Sequence, residues 1–349
     1  MSAQQKSLLL LEKQGSFAVQ NTDIPKPGHG ELLVEIHATS LNPADWKIQV
    51  YGPAFIQDFP AVLGTDAAGV VKELGEGVTS FAIGDKVVHQ GYFTNRSATF
   101  QQYTIVPAEI VAKIPPNLTF DQASTIPVTL ATASCGLYNT KPSGGAGLLA
   151  PWEEGGFGKY AGQPILVIGG SSSVGQHVIQ VAKLSGFSPI ITTASAHNET
   201  YLKSLGATHV LDRNAIPLSL LSSAIKEIIQ EPIKLVYDAI SDADTQNTSY
   251  AILASGGKIV LVQPVAIDES KRTEDKEIVD VICNVHMPAQ RAVGVSLYKN
   301  LTALLKAGDI KPNNVEVVPN GLAGIPAALE KLRAGVSASK LVARPLETS

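Results

Sequence analysis

Val167-Ile-Gly-Gly-Ser-Ser-Ser-Val-Gly175 joins an apolar run to a helical one, and its reading decides the fold. The run before it, Pro164-Ile-Leu-Val-Ile-Gly169, is continuously apolar, as expected of a strand covered on both faces. Beyond it, Val174, Val178, Val181 and Ala182 fall on one helical face, and Gly186 ends the helix. Small residues at such a turn let the backbone approach a pyrophosphate. The helix N-terminus adds unpaired N–H groups and a favourable dipole. The plainer alternative is a tight strand–helix connection with no ligand. A preceding buried strand and a following helix lift the motif above chance. Gly169, Gly170, Ser171, Ser172, Ser173, Val174 and Gly175 are therefore candidate phosphate-binding residues.

Downstream the pattern alternates. Ser188-Pro-Ile-Ile-Thr-Thr-Ala194 reads as a strand and Glu199 to Leu205 as a helix. His209-Val-Leu-Asp, Leu235-Val-Tyr-Asp-Ala-Ile and Lys258-Ile-Val-Leu-Val read as three more strands. Such a succession marks an α/β unit with a doubly wound parallel sheet. The second strand then chooses the cofactor. An NAD site places an Asp or Glu there to accept from the ribose 2′-OH. Here the strand ends Thr192-Thr-Ala-Ser-Ala-His-Asn198, with no acid. Ser195 and Asn198 can donate to a phosphate, and Arg213 offers a guanidinium, so NADPH is the expected cofactor. The alternative for Arg213 is a solvated surface charge. Gln263 and Pro264, after the Lys258 strand, are expected to approach the nicotinamide from the sheet edge.

Residues 1 to about 120 read as β-rich, with Leu32-Leu-Val-Glu-Ile-His, Ala68-Gly-Val-Val-Lys-Glu-Leu, Lys86-Val-Val-His and Phe100-Gln-Gln-Tyr-Thr-Ile-Val broken by Gly, Pro and Asp. That spacing suggests a barrel. From Asp121 the texture turns helical, with an interruption at Pro127. The Gly-rich stretch 139–162, holding Trp152, Phe157 and Tyr160, reads as a functional or a disordered loop. The final fifty residues carry a helix (Tyr298 to Ala307), a strand (Val315-Glu-Val-Val), a helix (Ile325 to Ala334) and a last strand (Lys340-Leu-Val-Ala).

The 349 residues suggest about two domains. Twenty-seven basic against 31 acidic side chains leave a net charge of −4, which gives no support for nucleic-acid binding. Apolar stretches fall far below the roughly 18 residues of a membrane span. The opening leads only to Leu8–Leu11, which reads as a first strand and not as a secretory segment. Two cysteines, Cys135 and Cys283, exclude a disulfide framework and a multi-Cys zinc cluster. A reducing, cytoplasmic location is expected.

Leu41-Asn-Pro-Ala-Asp-Trp-Lys47, Tyr51-Gly-Pro53, Phe59-Pro-Ala-Val-Leu-Gly-Thr-Asp-Ala-Ala-Gly-Val-Val71, Gly75-Glu-Gly-Val78 and Phe81-Ala-Ile-Gly-Asp-Lys-Val87 occur in this order, ahead of the Ser/Gly turn. The series resembles the medium-chain dehydrogenase/reductase superfamily over nearly the whole chain. The resemblance implies a GroES-like, partly open β-barrel catalytic domain at 1–126 and 291–349, and a Rossmann NADP-binding domain at 127–290. Zinc-dependent members carry a Cys ligand near Asp45 and a Gly-His-Glu near Gly64. This chain has Asp45-Trp46-Lys47 and Gly64-Thr65-Asp66 there, and His37, His89 and His197 show no ligand spacing. The chain thus looks like the zinc-independent branch of quinone and enoyl reductases, with no metal expected. The insert and Ser195-Ala-His-Asn198 are similar to fungal secondary-metabolism enzymes, including trans-acting enoyl reductases.

Without a metal, simple alcohol–ketone chemistry lacks its Lewis acid, whereas a conjugated acceptor needs less help. The expected reaction is hydride transfer to the C=C bond of an activated enone, enoyl or quinone substrate, with donors placed at the developing enolate oxygen. Lys47, Tyr51 and Thr132 are the candidate donors, Lys47 and Thr132 because they fall where such enoyl reductases carry ribose or substrate contacts. The alternatives are a surface charge for Lys47 and a helix residue bonding its own backbone for Thr132. Asp45 is read as structural. Partners implied are a small enone, quinone or enoyl thioester, or a polyketide synthase that presents the acyl chain. The non-catalytic alternative is an NADPH-binding structural protein.

Overall fold

A computed structural model describes residues 3–52, 56, 58–140 and 144–349. The chain forms two compact units, Met1–Val128 with Asn284–Gly308 and Pro312–Ser349, and Thr129–Cys283 with Asp309–Lys311.

In the first unit, Glu31–Ser40 is the longest strand and is buried except at Glu31, Glu35 and His37, which are half-buried. It pairs antiparallel with Asp66–Leu74, with Tyr103–Pro107 and, through Thr39 and Ser40, with Ser339–Ala343. Lys86–Gln90 and Val111–Lys113 continue the sheet on one side and Asn314–Val318 on the other. A second sheet joins Phe17–Asp23, Gln4–Leu10 and Ala61–Val62. Leu8, Leu10, Leu41, Leu63, Phe100 and Leu341 share one apolar core. This is the expected GroES-like architecture. Two details differ from the sequence reading. Phe100 lies in a loop, because its amide donates to the Leu63 carbonyl (2.9 Å) while its ring fills the core. The helix read from Tyr298 begins ten residues earlier and spans Pro288–Ala307. Gly294 broke its apolar pattern, and it is there because a Cβ would meet Val285 Cβ at 2.6 Å.

The second unit holds a six-stranded sheet. Its strands are β1 (Ile165–Ile168), β2 (Ile190–Ala194), β3 (His209–Asp212), β4 (Leu235–Asp238), β5 (Lys258–Leu261) and β6 (Glu277–Asp280). All pair in parallel, in the order β3-β2-β1-β4-β5-β6. The order reverses direction at β1, so the sheet is doubly wound, as expected. β6 escaped the sequence reading because only two apolar residues sit between Glu277 and Asp280. The sheet buries Leu166, Ile191, Val236 and Ile259 against Leu221, Ile225 and Tyr250 of the crossover helices.

Candidate functional site

The cradle after β1 is built by close approach. Gly169 takes φ +73°, a left-handed conformation that favours glycine, and a Cβ there would lie 2.5 Å from Ile240 Cδ1. On Gly170 a Cβ would meet Thr192 Oγ1 at 2.1 Å, and on Gly175 the Gly169 carbonyl oxygen at 2.3 Å. Helix α1 (Ser173–Leu184) starts from this turn. The Ser172 side chain caps it by accepting from the Gly175 amide (3.0 Å). Gln176 Nε2 donates to the Ser171 carbonyl (3.0 Å), and Tyr201 Oη donates to Gln176 Oε1 (2.8 Å). Thr193, on β2, accepts the Gly169 amide at Oγ1 and the Gly170 amide at its carbonyl, both at 3.0 Å. The seven cradle candidates are thereby assembled into one strand–turn–helix.

At the end of β2, Arg213 and Ser195 meet. Arg213 Nε donates to Ser195 Oγ at 3.1 Å, and the Arg213 amide donates to the Ala194 carbonyl at 3.0 Å. Asn198 is buried and its amide donates to the Ser195 carbonyl (2.9 Å). Gln263 Nε2 donates to the Ile240 carbonyl at 2.6 Å, and the carbonyl of exposed Pro264 accepts from Gln246 Nε2 at 3.0 Å. Asp238, at the end of β4, accepts the Ile240 and Ser241 amides on Oδ1 (3.0 and 2.7 Å), and burial raises its carboxyl pKa. These bonds fix the loop whose Ile240 side chain faces Gly169. Gln246 and Asp238 were not singled out from sequence, since neither belongs to a motif.

Helix α2 (Pro127–Tyr138) enters this unit at Thr129. Thr129 Oγ1 and His177 Nδ1 are 3.0 Å apart, and Tyr237 Oη donates to the Thr132 carbonyl at 2.9 Å. Thr132 itself is half-buried. The loop after α2 is held by aromatic contacts. The Trp152 ring lies edge-on to Tyr138 at 5.3 Å, and Tyr160 stacks on Phe187 at 5.1 Å. The Gly158 amide donates to the Leu184 carbonyl, while Phe157 stays 76% exposed. The insert is therefore ordered over 144–162; residues 141–143 lie outside the described part.

Lys47 and Tyr51 belong to the first unit, on the helix Pro43–Tyr51; Pro53 of the quoted Tyr51-Gly-Pro lies outside the described residues. Lys47 is half-buried, its ammonium 5.7 Å from the centre of the Trp46 ring, and desolvation lowers its pKa. Tyr51 is 66% exposed. The N-terminus of this helix rests on a charged cluster that no local motif announces. Asp66 Oδ2 accepts from Ser40 Oγ and Asn42 Nδ2, each at 2.8 Å, and pairs with Lys340 Nζ at 3.0 Å. Lys340 Nζ also donates to Asn42 Oδ1 at 2.7 Å, and both charged residues are buried. Asp45 closes a capping box by accepting the Asn42 amide (2.8 Å) on Oδ2. Burial, opposed by that bond and reinforced by the charge of Asp66, pushes the Asp45 carboxyl up to about 7.

The resemblance would place zinc ligands near Asp45 and near Gly64, and the residues there do not fit a metal. Among the described residues no group of three His, Cys, Asp or Glu can hold an ion. Asp66 is already matched by an ammonium and Asp45 caps a helix. His37 pairs with Glu35 (3.2 Å), and His89 is buried beside the Gln90 carbonyl (3.0 Å). In the cradle, by contrast, the Cβ atoms that Gly169, Gly170 and Gly175 lack would collide with Ile240, Thr192 and the Gly169 carbonyl, so glycine there lets strand, turn and helix pack this closely and leaves the amides at the start of α1 bare of side chains at these three positions. No helix among the described residues is long and apolar enough to cross a membrane.

A GroES-like unit joined to a doubly wound nucleotide-binding unit defines a dehydrogenase class, and comparison with known proteins agrees. The family model described as alcohol dehydrogenase GroES-like domain matches residues 28–116, and that described as zinc-binding dehydrogenase matches 173–285. A trans-enoyl reductase of Aspergillus japonicus is 32% identical over 330 residues, covering 89% of each chain. A dehydrogenase of Aspergillus niger is 31% identical over 357 residues, 95% of this chain and 96% of that one. A mycobacterial protein solved with NADPH superposes with TM-score 0.75 at 23% identity, covering 98% of this chain and 100% of the other. The chain belongs to the medium-chain dehydrogenase/reductase superfamily and is an oxidoreductase.

Proposed function

We propose that the chain is an NADPH-dependent, zinc-independent reductase that delivers hydride to the C=C bond of an activated enone, enoyl or quinone substrate. The observation that carries the cofactor choice is Arg213 bonded to Ser195 Oγ at the end of β2, where an NAD site would carry an acid. Gly169 to Gly175 hold the pyrophosphate, Ser195, Asn198 and Arg213 the 2′-phosphate, and Gln263 and Pro264 the nicotinamide end. When bound, the cofactor supplies the hydride from nicotinamide C4. The protein's part is to orient the acceptor and to stabilise negative charge on its carbonyl oxygen. Lys47, Tyr51 and Thr132 are the donors assigned to that oxygen, and water protonates the enolate carbon.

The trans-enoyl reductases among the relatives favour a second reading, in which a polyketide synthase presents the acyl chain. A cofactor-oxidation screen over small enones, quinones and enoyl thioesters, run with and without a chelator, tests both. Turnover of a free acceptor, unchanged by chelation, supports a stand-alone reductase. Turnover only with an acyl-carrier partner supports the second reading. Tight NADPH binding with no oxidation under either condition supports the structural-protein alternative and overturns the proposal.

A further inference from the structure

Gln246 is a polar side chain placed where helix–sheet packing ordinarily calls for an apolar one. It sits in the helix Ala243–Ile252, is fully buried, and uses both of its donors and its acceptor. Its Nε2 donates to the Ser241 carbonyl (2.9 Å) and to the Pro264 carbonyl (3.0 Å), and its Oε1 accepts the Ala266 amide (2.7 Å). These partners lie on two different loops. The β4–β5 ladder ends at Asp238 and Leu261, and beyond it both stretches are irregular. Ser241 takes φ +56°, a left-handed conformation that a side chain rarely adopts. Its Oγ donates to the Asp238 carbonyl (2.6 Å) and accepts the Val262 amide (3.0 Å). Gln246 fastens the carbonyl of this strained residue to the outer part of the second loop, where Pro264 and Ala266 are exposed. The task needs a side-chain amide of this length. A carboxylate lacks the donors, lysine and arginine lack the acceptor, and asparagine is one methylene shorter.

We propose that Gln246 is a positioning residue for the nicotinamide half of the cofactor, an inference that rests on the reading of Gln263 and Pro264 as the nicotinamide end of the site. One buried amide holds the loop after β5 against the loop after β4, so that Gln263 and Pro264 keep a single placement. The first loop also carries Ile240, whose side chain faces Gly169 and whose carbonyl accepts from Gln263 Nε2 (2.6 Å). Ser195, Asn198 and Arg213, assigned to the 2′-phosphate, follow β2 and β3. Those strands lie on the other side of β1 from β4 and β5. Loss of the Gln246 amide therefore loosens the nicotinamide end and leaves the adenosine end as it is.

Isothermal titration calorimetry on the full-length protein tests this with two ligands: NADPH, and 2′-phospho-ADP-ribose, which is the same molecule without its nicotinamide. Gln246→Met keeps the length of the side chain and removes all three hydrogen bonds. The NADPH dissociation constant should rise about tenfold, because the Ser241 carbonyl and the Ala266 amide lose their partner, while that of the fragment changes by less than about twofold. Gln246→Glu keeps the acceptor for Ala266 but turns its second oxygen toward the two carbonyls. It should show the same selective loss, and it carries the test if Gln246→Met does not fold. Gln263→Ala checks the underlying reading and should also weaken NADPH alone. Selective loss in Gln263→Ala with none in a folded Gln246 variant overturns the positioning role and leaves the nicotinamide assignment standing. No selective loss in any of the three variants overturns both. Equal losses of NADPH and of the fragment in the Gln246 variants mark a general disturbance of the unit, and they overturn the proposal as well.

Discussion

Gly175→Ala puts the cradle to a quantitative test. The added Cβ would sit 2.3 Å from the Gly169 carbonyl oxygen and 2.9 Å from Gly170 Cα, against 3.4 Å for ordinary contact. Both neighbours are backbone atoms of the turn itself, so no side chain can swing away. The start of α1 and the turn must separate by about 1 Å. Overpacking of this kind costs about 1–3 kcal/mol. If that displacement falls on the phosphate-binding geometry, the dissociation constant rises by roughly 10- to 100-fold. The pyrophosphate is common to both nicotinamide cofactors, so NADPH and NADH should lose affinity equally. Fluorescence titration with each cofactor reads the loss, and a thermal melt reads any accompanying destabilisation. Wild-type affinity for both cofactors in a folded Gly175→Ala protein would refute the assignment of this turn to the pyrophosphate.

Arg213→Ala should act in the opposite manner. It should weaken NADPH at least tenfold, about 1.4 kcal/mol, and leave NADH nearly unchanged in the same titration; equal losses would show that Arg213 does not read the 2′-phosphate. Lys340→Met leaves the Asp66 carboxylate buried without its cation, a change that costs about 3–5 kcal/mol. Urea unfolding should show that loss; an unchanged midpoint would show the pair to be energetically silent. Acid should destabilise the protein below about pH 6.5. Burial lowers His89 and His286 to about 4, so each binds a proton on unfolding between its folded value and about 6.5. Their contribution to stability is complete above 6.5 and is lost as the pH falls toward 4. Asp45, raised to about 7, works the other way: its contribution is complete near pH 4 and is lost as the pH rises through 7. From these three groups the net uptake is roughly one proton near pH 5, at most about 1.4 kcal/mol per pH unit, and Asp238 and Asp280, whose carboxyls desolvation also raises, reduce it. Stability that is flat or rising on acidification from 6.5 to 5 contradicts this.

The cradle was legible because its chemistry is local. A buried β-strand, three close glycines and an amphipathic helix lie within twenty residues, and the periodicity changes from strand to helix across the turn. The Arg213–Ser195 contact was also foreseeable, since parallel pairing of β2 with β3 brings consecutive strand ends side by side. The Lys340–Asp66–Asn42 cluster was not. Its members lie far apart in sequence, and Lys340 sits in a run that reads simply as a last strand. Asp45, read as structural, closes the capping box at Asn42, although the cap itself was not recognised in Asn-Pro-x-Asp. The ordering of the insert depended on where Phe187 and Tyr138 present their rings to Tyr160 and Trp152, which composition does not encode.

The most direct test of the central claim is isotopic. With NADPH carrying deuterium at the transferable nicotinamide position and an enoyl thioester or enone as acceptor, the product is analysed by mass spectrometry and NMR. A conjugate reductase should place one deuterium on the β-carbon for each NADPH consumed, with the α-hydrogen drawn from water. Deuterium recovered on a carbinol carbon, from reduction of the carbonyl with the double bond intact, would contradict the account.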